Sequence, residues 1–168
     1  PERGEGNARN KRKNLTNLIG IIYNTIMKKP LIVIDTNVLL SALKSKQGKS
    51  FELISLIGTG LFDFAVSVPL ILEYEKVLKA GVDRTIFSDS DIEDFVDYLC
   101  KVGIKTKIFY LWRPYLKDPF DDHVLELAMN ANADTIVTYN KKDFSGAESL
   151  GIEIKEPKEF LDCIKELW

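Results

Sequence analysis

The sequence predicts an α/β fold, a three-layer α/β/α sandwich around a central, mostly parallel sheet. Apolar runs of strand length, such as Leu31-Ile32-Val33-Ile34, show no polar alternation and must be covered on both faces. Stretches of helical apolar period separate these runs along the chain, the order that sets strands side by side in one direction. Polar groups follow the strands directly, and in open parallel sheets ligands bind outside the strands' carboxyl ends.

The first strand, Leu31–Ile34, ends abruptly in Asp35. Thr36 and Asn37 precede Val38–Leu43, an apolar run of helical length, so Asp35 stands at a strand-to-helix turn. The residues alone leave it either a site carboxylate or a helix cap. A charged turn over 44–49 leads to a helix over Ser50–Ile57, stopped by Gly58 and Gly60. Leu61–Val66 reads as the second strand. Ser67 suits an N-cap and Pro69 a first helical turn, giving a helix over Leu70–Ala80 that carries Glu73 and Glu75 and ends at Gly81.

After a loop over 82–88, Ser88 or Ser90 caps an acidic helix, Asp91–Val102, with Ile92, Phe95, Val96 and Leu99 on its apolar face and Gly103 as its stop. Ile104–Phe109 alternates as a third strand. Pro114 and Pro119 make 111–120 a loop, which delivers Asp118, Asp121 and Asp122 to the start of an apolar helix running to Met129. Ala133–Thr138 is the fourth strand, with Asn140 and Asp143 just beyond it. Gly151–Lys155 is the last strand, and Pro157 opens a terminal helix through Phe160, Leu161, Ile164, Leu167 and Trp168.

A chain of 168 residues with 45% hydrophobic side chains suits one domain with one core. Cys100 and Cys163 lie far apart with no C-x-x-C spacing, which argues for a reduced, cytoplasmic protein without a zinc site or a disulfide framework. No run of 18 apolar residues and no cleavable signal pattern appears, so a membrane partner is not expected. His123 is the only histidine, which excludes paired-imidazole metal sites.

Residues 1–29 hold seven Lys/Arg against two acids, leaving 16 basic against 23 acidic residues for 30–168. The plan is therefore a basic, flexible extension over 1–29, with a short amphipathic helix over Leu15–Lys28, and an acidic domain over 30–168. One reading makes the extension an RNA-binding arm, since basic tails release counterions from phosphates. The other takes Met27 as the natural start and the residues before it as foreign to the domain.

Asp35, the pair Asp121 and Asp122, and Asn140 with Asp143 sit at three junctions that a parallel sheet brings together. Carboxylates crowded into one cleft raise each other's pKa and stay ionised mainly when a cation compensates them. Oxygen-only ligands select a hard ion such as Mg²⁺ or Mn²⁺. The chemistry that follows is phosphodiester hydrolysis by a metal-activated water.

Five motifs in order carry a family resemblance over residues 31 to 162: Asp35-Thr36-Asn37 with the run after it; Ser67 through Glu73-Tyr74; Asp118-Pro119-Phe120-Asp121-Asp122 leading into Leu125 to Ala128; Thr138 through Phe144; and Pro157 through Leu161. Together they resemble the PIN-domain nucleases, particularly the prokaryotic branch of VapC-type ribonucleases, the toxins of toxin-antitoxin pairs. The resemblance implies a PIN-like fold, single-stranded RNA as substrate and an antitoxin protein as partner. It implies that Asp35, Glu73 and Asp121 are the acidic metal positions, with Asp122 as a lesser candidate should the register slip by one. The fourth position is Asn140, where this branch usually has Asp. Asn orients a water without adding charge, and Asp143 is the residue that compensates.

Simpler readings stand beside these. Asp118, Asp121 and Asp143 suit turns and caps, and His123 suits a helix start or, as a neutral imidazole, a proton shuttle. Lys44, Lys46, Lys49, Lys141 and Lys142 are either phosphate contacts or solubilising charges, and Trp112 and Tyr115 either stack a base or pack. A homodimer built on helices 15–28 and 157–168 is a further expectation. The rival function is a non-catalytic PIN-like module that binds RNA or protein. A haloacid-dehalogenase-type phosphatase is disfavoured because Asn37 stands where it needs a second Asp, and neither nucleotide-binding glycine loop is present.

Overall fold

Every strand pairing in the sheet is parallel, in the order β3-β2-β1-β4-β5, and Asp35 leaves the sheet where that order reverses. The computed structural model describes residues 29–111, 113 and 115–166, and Pro30–Glu166 form one compact unit. The strands are β1 Leu31–Ile34, β2 Asp63–Val66, β3 Ile104–Lys105, β4 Thr135–Val137 and β5 Glu153–Lys155. The helices are α1 Thr36–Lys44, α2 Lys49–Ser55, α3 Val68–Gly81, α4 Asp89–Val102, α5 Asp122–Ala131 and α6 Pro157–Glu166. The expected arm and helix before residue 29, Trp112, Leu167 and Trp168 lie outside the described residues.

The central strands are buried because helices cover both faces. Ile32, Val33 and Ile34 project alternately to the two sides, yet none is more than 1% exposed. Helix α5 lies against β1, β2 and β4, its Val124, Leu125, Leu127 and Ala128 all fully buried. Helix α6 docks on β5 and α2 through Phe160, Leu161 and Ile164, and the Phe160 ring meets Phe62 edge-on with centroids 5.4 Å apart. The apolar stripe of α6 is thus spent on the core. Phe160, Leu161 and Ile164 therefore face inward, while Leu167 and Trp168 of the expected dimer helix lie outside the described residues.

Boundaries depart from the sequence reading where backbone pairing runs out. The expected third strand, Ile104–Phe109, is regular only over two residues. Its neighbour β2 ends at Val66 and turns into α3, so after Thr106 N donates to Val66 O at 2.8 Å no partner backbone remains. Similarly, β2, β4 and β5 are shorter than their apolar runs, and a 3₁₀ turn over Ala147–Leu150, which carries no apolar period, precedes β5. Ser88 caps α4 in a reciprocal capping box with Asp91, whereas Ser67 occupies the N-cap position of α3 without a side-chain bond to its amides.

Gly81 is the last residue of α3 rather than a stop beyond it. A Cβ there would lie 2.7 Å from Leu40 Cδ1, so the glycine lets α3 approach α1 closely. That approach matters for the site because α3 carries Tyr74. Its hydroxyl, on a side chain only 1% exposed, donates to the Ile34 carbonyl, the residue before Asp35. Tyr74→Phe strands that acceptor, and the expected cost is about 1–2 kcal/mol in a urea titration. An unchanged midpoint would show that the tether contributes nothing.

Candidate active site

Asp35 is held at the head of β1 by bonds that cross to β4. Its backbone N donates to Val137 O at 2.9 Å, and its Oδ2 accepts from Thr138 Oγ1 at 2.6 Å and from Asn37 Nδ2 at 2.7 Å. Although Asp35 occupies the N-cap position of α1, its side chain makes no capping bond. The carboxylate is instead bonded to Thr138 and Asn37, although the amides of Thr36 and Asn37 in the first turn still act to lower its pKa. Thr138, fully buried, uses its one hydroxyl completely, since Oγ1 also accepts from Asn37 Nδ2 at 3.1 Å and from Asn140 N at 2.9 Å.

Glu73 reaches the same crevice from α3. Its Oε1 accepts from Thr36 Oγ1, and its Oε2 lies 2.9 Å from His123 Nε2. The His123 contact is close but off the line of an N–H hydrogen bond. The other ring nitrogen, Nδ1, donates to the Phe120 carbonyl at 2.7 Å, which fixes the ring's orientation. His123 is therefore a largely enclosed partner of Glu73 rather than a surface residue, its side chain 13% exposed.

The electrostatics follow from the crowding. Burial first, and then the negative charge of Glu73, raise the Asp35 carboxyl, against the lowering by Thr138. Asp121 is pushed up to about 6 by burial and by Asp35, Asp118, Asp143 and Glu73. Partial burial works to raise Glu73 too, but His123 and Thr36 outweigh it and hold that carboxyl below its ordinary value. The same contact lifts His123 despite its burial.

The expected residues thus separate into two groups. Asp35, Glu73, Asp121 and Asp143 act on one another in one crevice. Asp122 does not share their work, because its carboxylate is 99% buried and accepts from Leu116 N at 2.8 Å and from Tyr115 N at 3.3 Å, fastening the loop before α5. Asp118 forms a turn, accepting from Phe120 N at 3.0 Å. Asn140 is exposed, and its backbone bonds to its neighbours: its N donates to Thr138 Oγ1 and its O accepts from Asp143 N, both at 2.9 Å.

Among the lysines, Lys49 is paired with Glu52 at 2.6 Å and Lys141 with Glu159 at 2.7 Å, while Lys44, Lys46 and Lys142 are exposed. Tyr115 is 40% exposed, with its hydroxyl 3.3 Å from Ser149 Oγ. Thr36 and Thr138 were not singled out as site residues, although both sit in the motifs next to strand ends. Arg113, whose guanidinium bonds the buried Glu126 carboxylate twice at 3.0 Å, had no signal at all, since a spacing of 13 residues marks no element.

The donor chemistry of the crevice suits a hard divalent cation. All four carboxylates offer oxygen, Glu73 keeps a second lone pair on Oε1, and a bound ion would lower the raised pKa values of Asp35 and Asp121. Among the described residues no three of these groups stand close enough to enclose an ion as they are. Filling the site requires the side chains to close inward.

Comparison with known proteins identifies the family and the fold. A family model described as "PIN domain" matches residues 31–142. A solved chain of VapBC2 from Rickettsia felis, crystallised bound to a DNA fragment from their promoter, is similar in fold with a TM-score of 0.53 and 17% identity. That match covers 75% of this chain and 99% of the other. No curated protein sequence matches the chain significantly.

A carboxylate raised by its neighbours destabilises the metal-free fold whenever it is ionised. The folded state of Asp121 holds its proton up to about 6 against 3.8 for the free side chain, so stability should rise as pH falls through that window. Asp121→Asn should therefore stabilise the metal-free protein at pH 7.5. Allowing for solvent screening of a half-exposed group, the gain is about 1 kcal/mol. It should shrink as pH falls from about 6 towards 4. Thermal melts in EDTA across that range test this, and a destabilised or pH-independent variant would contradict it.

Proposed function

The chain belongs to the PIN-domain family, a family of nucleases, and from that premise we propose that it is a Mg²⁺- or Mn²⁺-dependent endoribonuclease that hydrolyses phosphodiester bonds in single-stranded RNA. The observation that carries the reading is the group of four carboxylates at the reversal point of the sheet, with Asp121 pushed up to about 6 by burial and by its acidic neighbours. Asp35, Glu73 and Asp121 would hold the ion, and Asp143 would supply the charge that Asn140 lacks. When bound, the ion supplies an activated water and a counter-charge for the scissile phosphate.

The chain's own residues do the positioning. Thr138 and Asn37 fix the Asp35 carboxylate through its Oδ2. Thr36 and His123 hold Glu73 in its ionised form, ready to ligate. His123, oriented by the Phe120 carbonyl, can keep a proton beside the crevice or release it. Asn140, tied back through its backbone to Thr138, leaves its amide for a water or a phosphate oxygen.

The proposal extends to biology. Residues 30–168 are the nuclease domain and 1–29 a basic extension; the chain would act in the cytoplasm as the toxin of a type II toxin-antitoxin pair, restrained by an antitoxin protein, and would self-associate as a homodimer. No helix among the described residues is long and apolar enough to cross a membrane. The resemblance of the motifs and the likeness in fold to the VapBC2 chain support the pairing. A non-catalytic RNA- or protein-binding module is the second reading, favoured by Asn140 and by the open arrangement of the acids.

Cleavage of a mixed single-stranded RNA pool in Mg²⁺, Mn²⁺ and EDTA separates the two. Nuclease action predicts metal-dependent cleavage, abolished by EDTA and reduced at least about 100-fold in Asp35→Asn with its circular dichroism unchanged. RNA binding without cleavage by the parent in either metal would support the binding module instead, and full activity in Asp35→Asn would reject the site.

A further inference from the structure

Phe120 is 84% exposed, the highest value among the large hydrophobic side chains of the described residues. A single exposed apolar residue ordinarily needs no explanation. Phe120 differs because its backbone is pinned on both sides: its N–H donates to Asp118 Oδ1 at 3.0 Å and its carbonyl accepts from His123 Nδ1 at 2.7 Å. The ring therefore projects from a turn locked by hydrogen bonds and directly coupled to the group that holds Glu73. It also lines a cleft of about 250 Å³ together with Pro69, Glu73, Arg113, Pro119 and His123.

Arg113 gives that cleft a positive charge beside the Glu73 carboxylate. The domain over 30–168 carries an excess of seven acids, so a polyanion approaches it only where positive charge is fixed locally. Two N–H groups of Arg113 are spent on the buried Glu126 carboxylate, which holds the guanidinium rigidly. The Arg113 side chain stays 47% exposed, open to solvent beside the cleft. An aromatic ring on a pinned backbone, a held guanidinium and Glu73 of the acid cluster thus line one small cleft.

We propose that Phe120 is a stacking platform for the nucleobase next to the scissile phosphate, with Arg113 on the adjoining backbone phosphate. The proposal rests on the nuclease reading above and adds the nucleotide subsite to it. Stacking on one ring is sequence-tolerant, since every base has a π-face, so the platform sets affinity and register rather than base identity. The cleft favours a nucleotide over a protein surface because it is small, and its walls beside the ring are charged.

The test is steady-state cleavage of a single-stranded RNA oligonucleotide by the parent, Phe120→Ala and Phe120→Trp, with molar mass measured in solution for each. Neither variant disturbs the backbone bonds to Asp118 and His123. Phe120→Ala should raise KM about tenfold with a much smaller change in kcat, and Phe120→Trp should restore the parent value. An abasic nucleotide next to the cut should weaken the parent by a similar factor and leave Phe120→Ala almost unaffected. Tryptophan fluorescence at position 120 should be quenched on adding the RNA.

Parent-like kinetics in Phe120→Ala would overturn the platform while leaving the nuclease intact. So would a loss confined to a fall in molar mass, which would make Phe120 a contact between copies of the chain. A parent that does not cleave RNA in either metal would remove the nuclease reading, and the platform with it.

Discussion

The carboxylate of Asp35 is buried at the head of a parallel sheet, and the arrangement around it answers that constraint. A buried carboxylate must be hydrogen-bonded or neutralised. Here the bonds come from β4 through Thr138 and from the first turn of α1 through Asn37, and Thr138 Oγ1 also receives the start of the 140–143 turn. One oxygen of one side chain therefore ties together the two strands at which the sheet reverses its order. Crossing back from α3, Tyr74 fastens the same corner to the Ile34 carbonyl.

With Asp35 fixed, the other acids are brought near it at a cost. Asp121 pays most, its carboxyl lifted to about 6, while Glu73 is spared by His123 and Thr36. Perturbed carboxylates gathered at a strand-end cleft mark a candidate cation site, the role proposed for them above. The neighbouring Glu126 shows that alternative in the same molecule. It is as deeply buried as any acid in the domain, and Arg113 meets it with two bonds at 3.0 Å.

The layered architecture was legible because buried parallel strands leave an unbroken apolar signature, which Leu31–Ile34 shows plainly. Asp35 was legible as a junction residue for the same reason. Element ends were not, since they depend on which neighbour still has backbone to pair: Ile104–Phe109 alternates well, yet β2 stops at Val66 and the strand stops with it. Glu73 could be preferred to Glu75 only through the family motif, as a helical glutamate carries no mark of its fate. The two adjacent acids Asp121 and Asp122 looked interchangeable in sequence. Chain direction at the start of α5 separates them, aiming one towards the acid cluster and the other at the amides of Tyr115 and Leu116. Where His123 would sit was equally hidden, because its partner Glu73 lies 50 residues away on another helix.

The central claim is that the acids are strained by one another and that a divalent cation relieves the strain. The most direct measurement is the pH titration of the Asp121 carboxyl carbon by NMR, in EDTA and then in Mg²⁺. The account predicts a midpoint of about 6 without metal, moved down by more than about one pH unit when Mg²⁺ is added, as expected for a carboxylate beside a bound cation. A midpoint near the ordinary carboxylate value of about 3.9, or one that Mg²⁺ does not move, would contradict it.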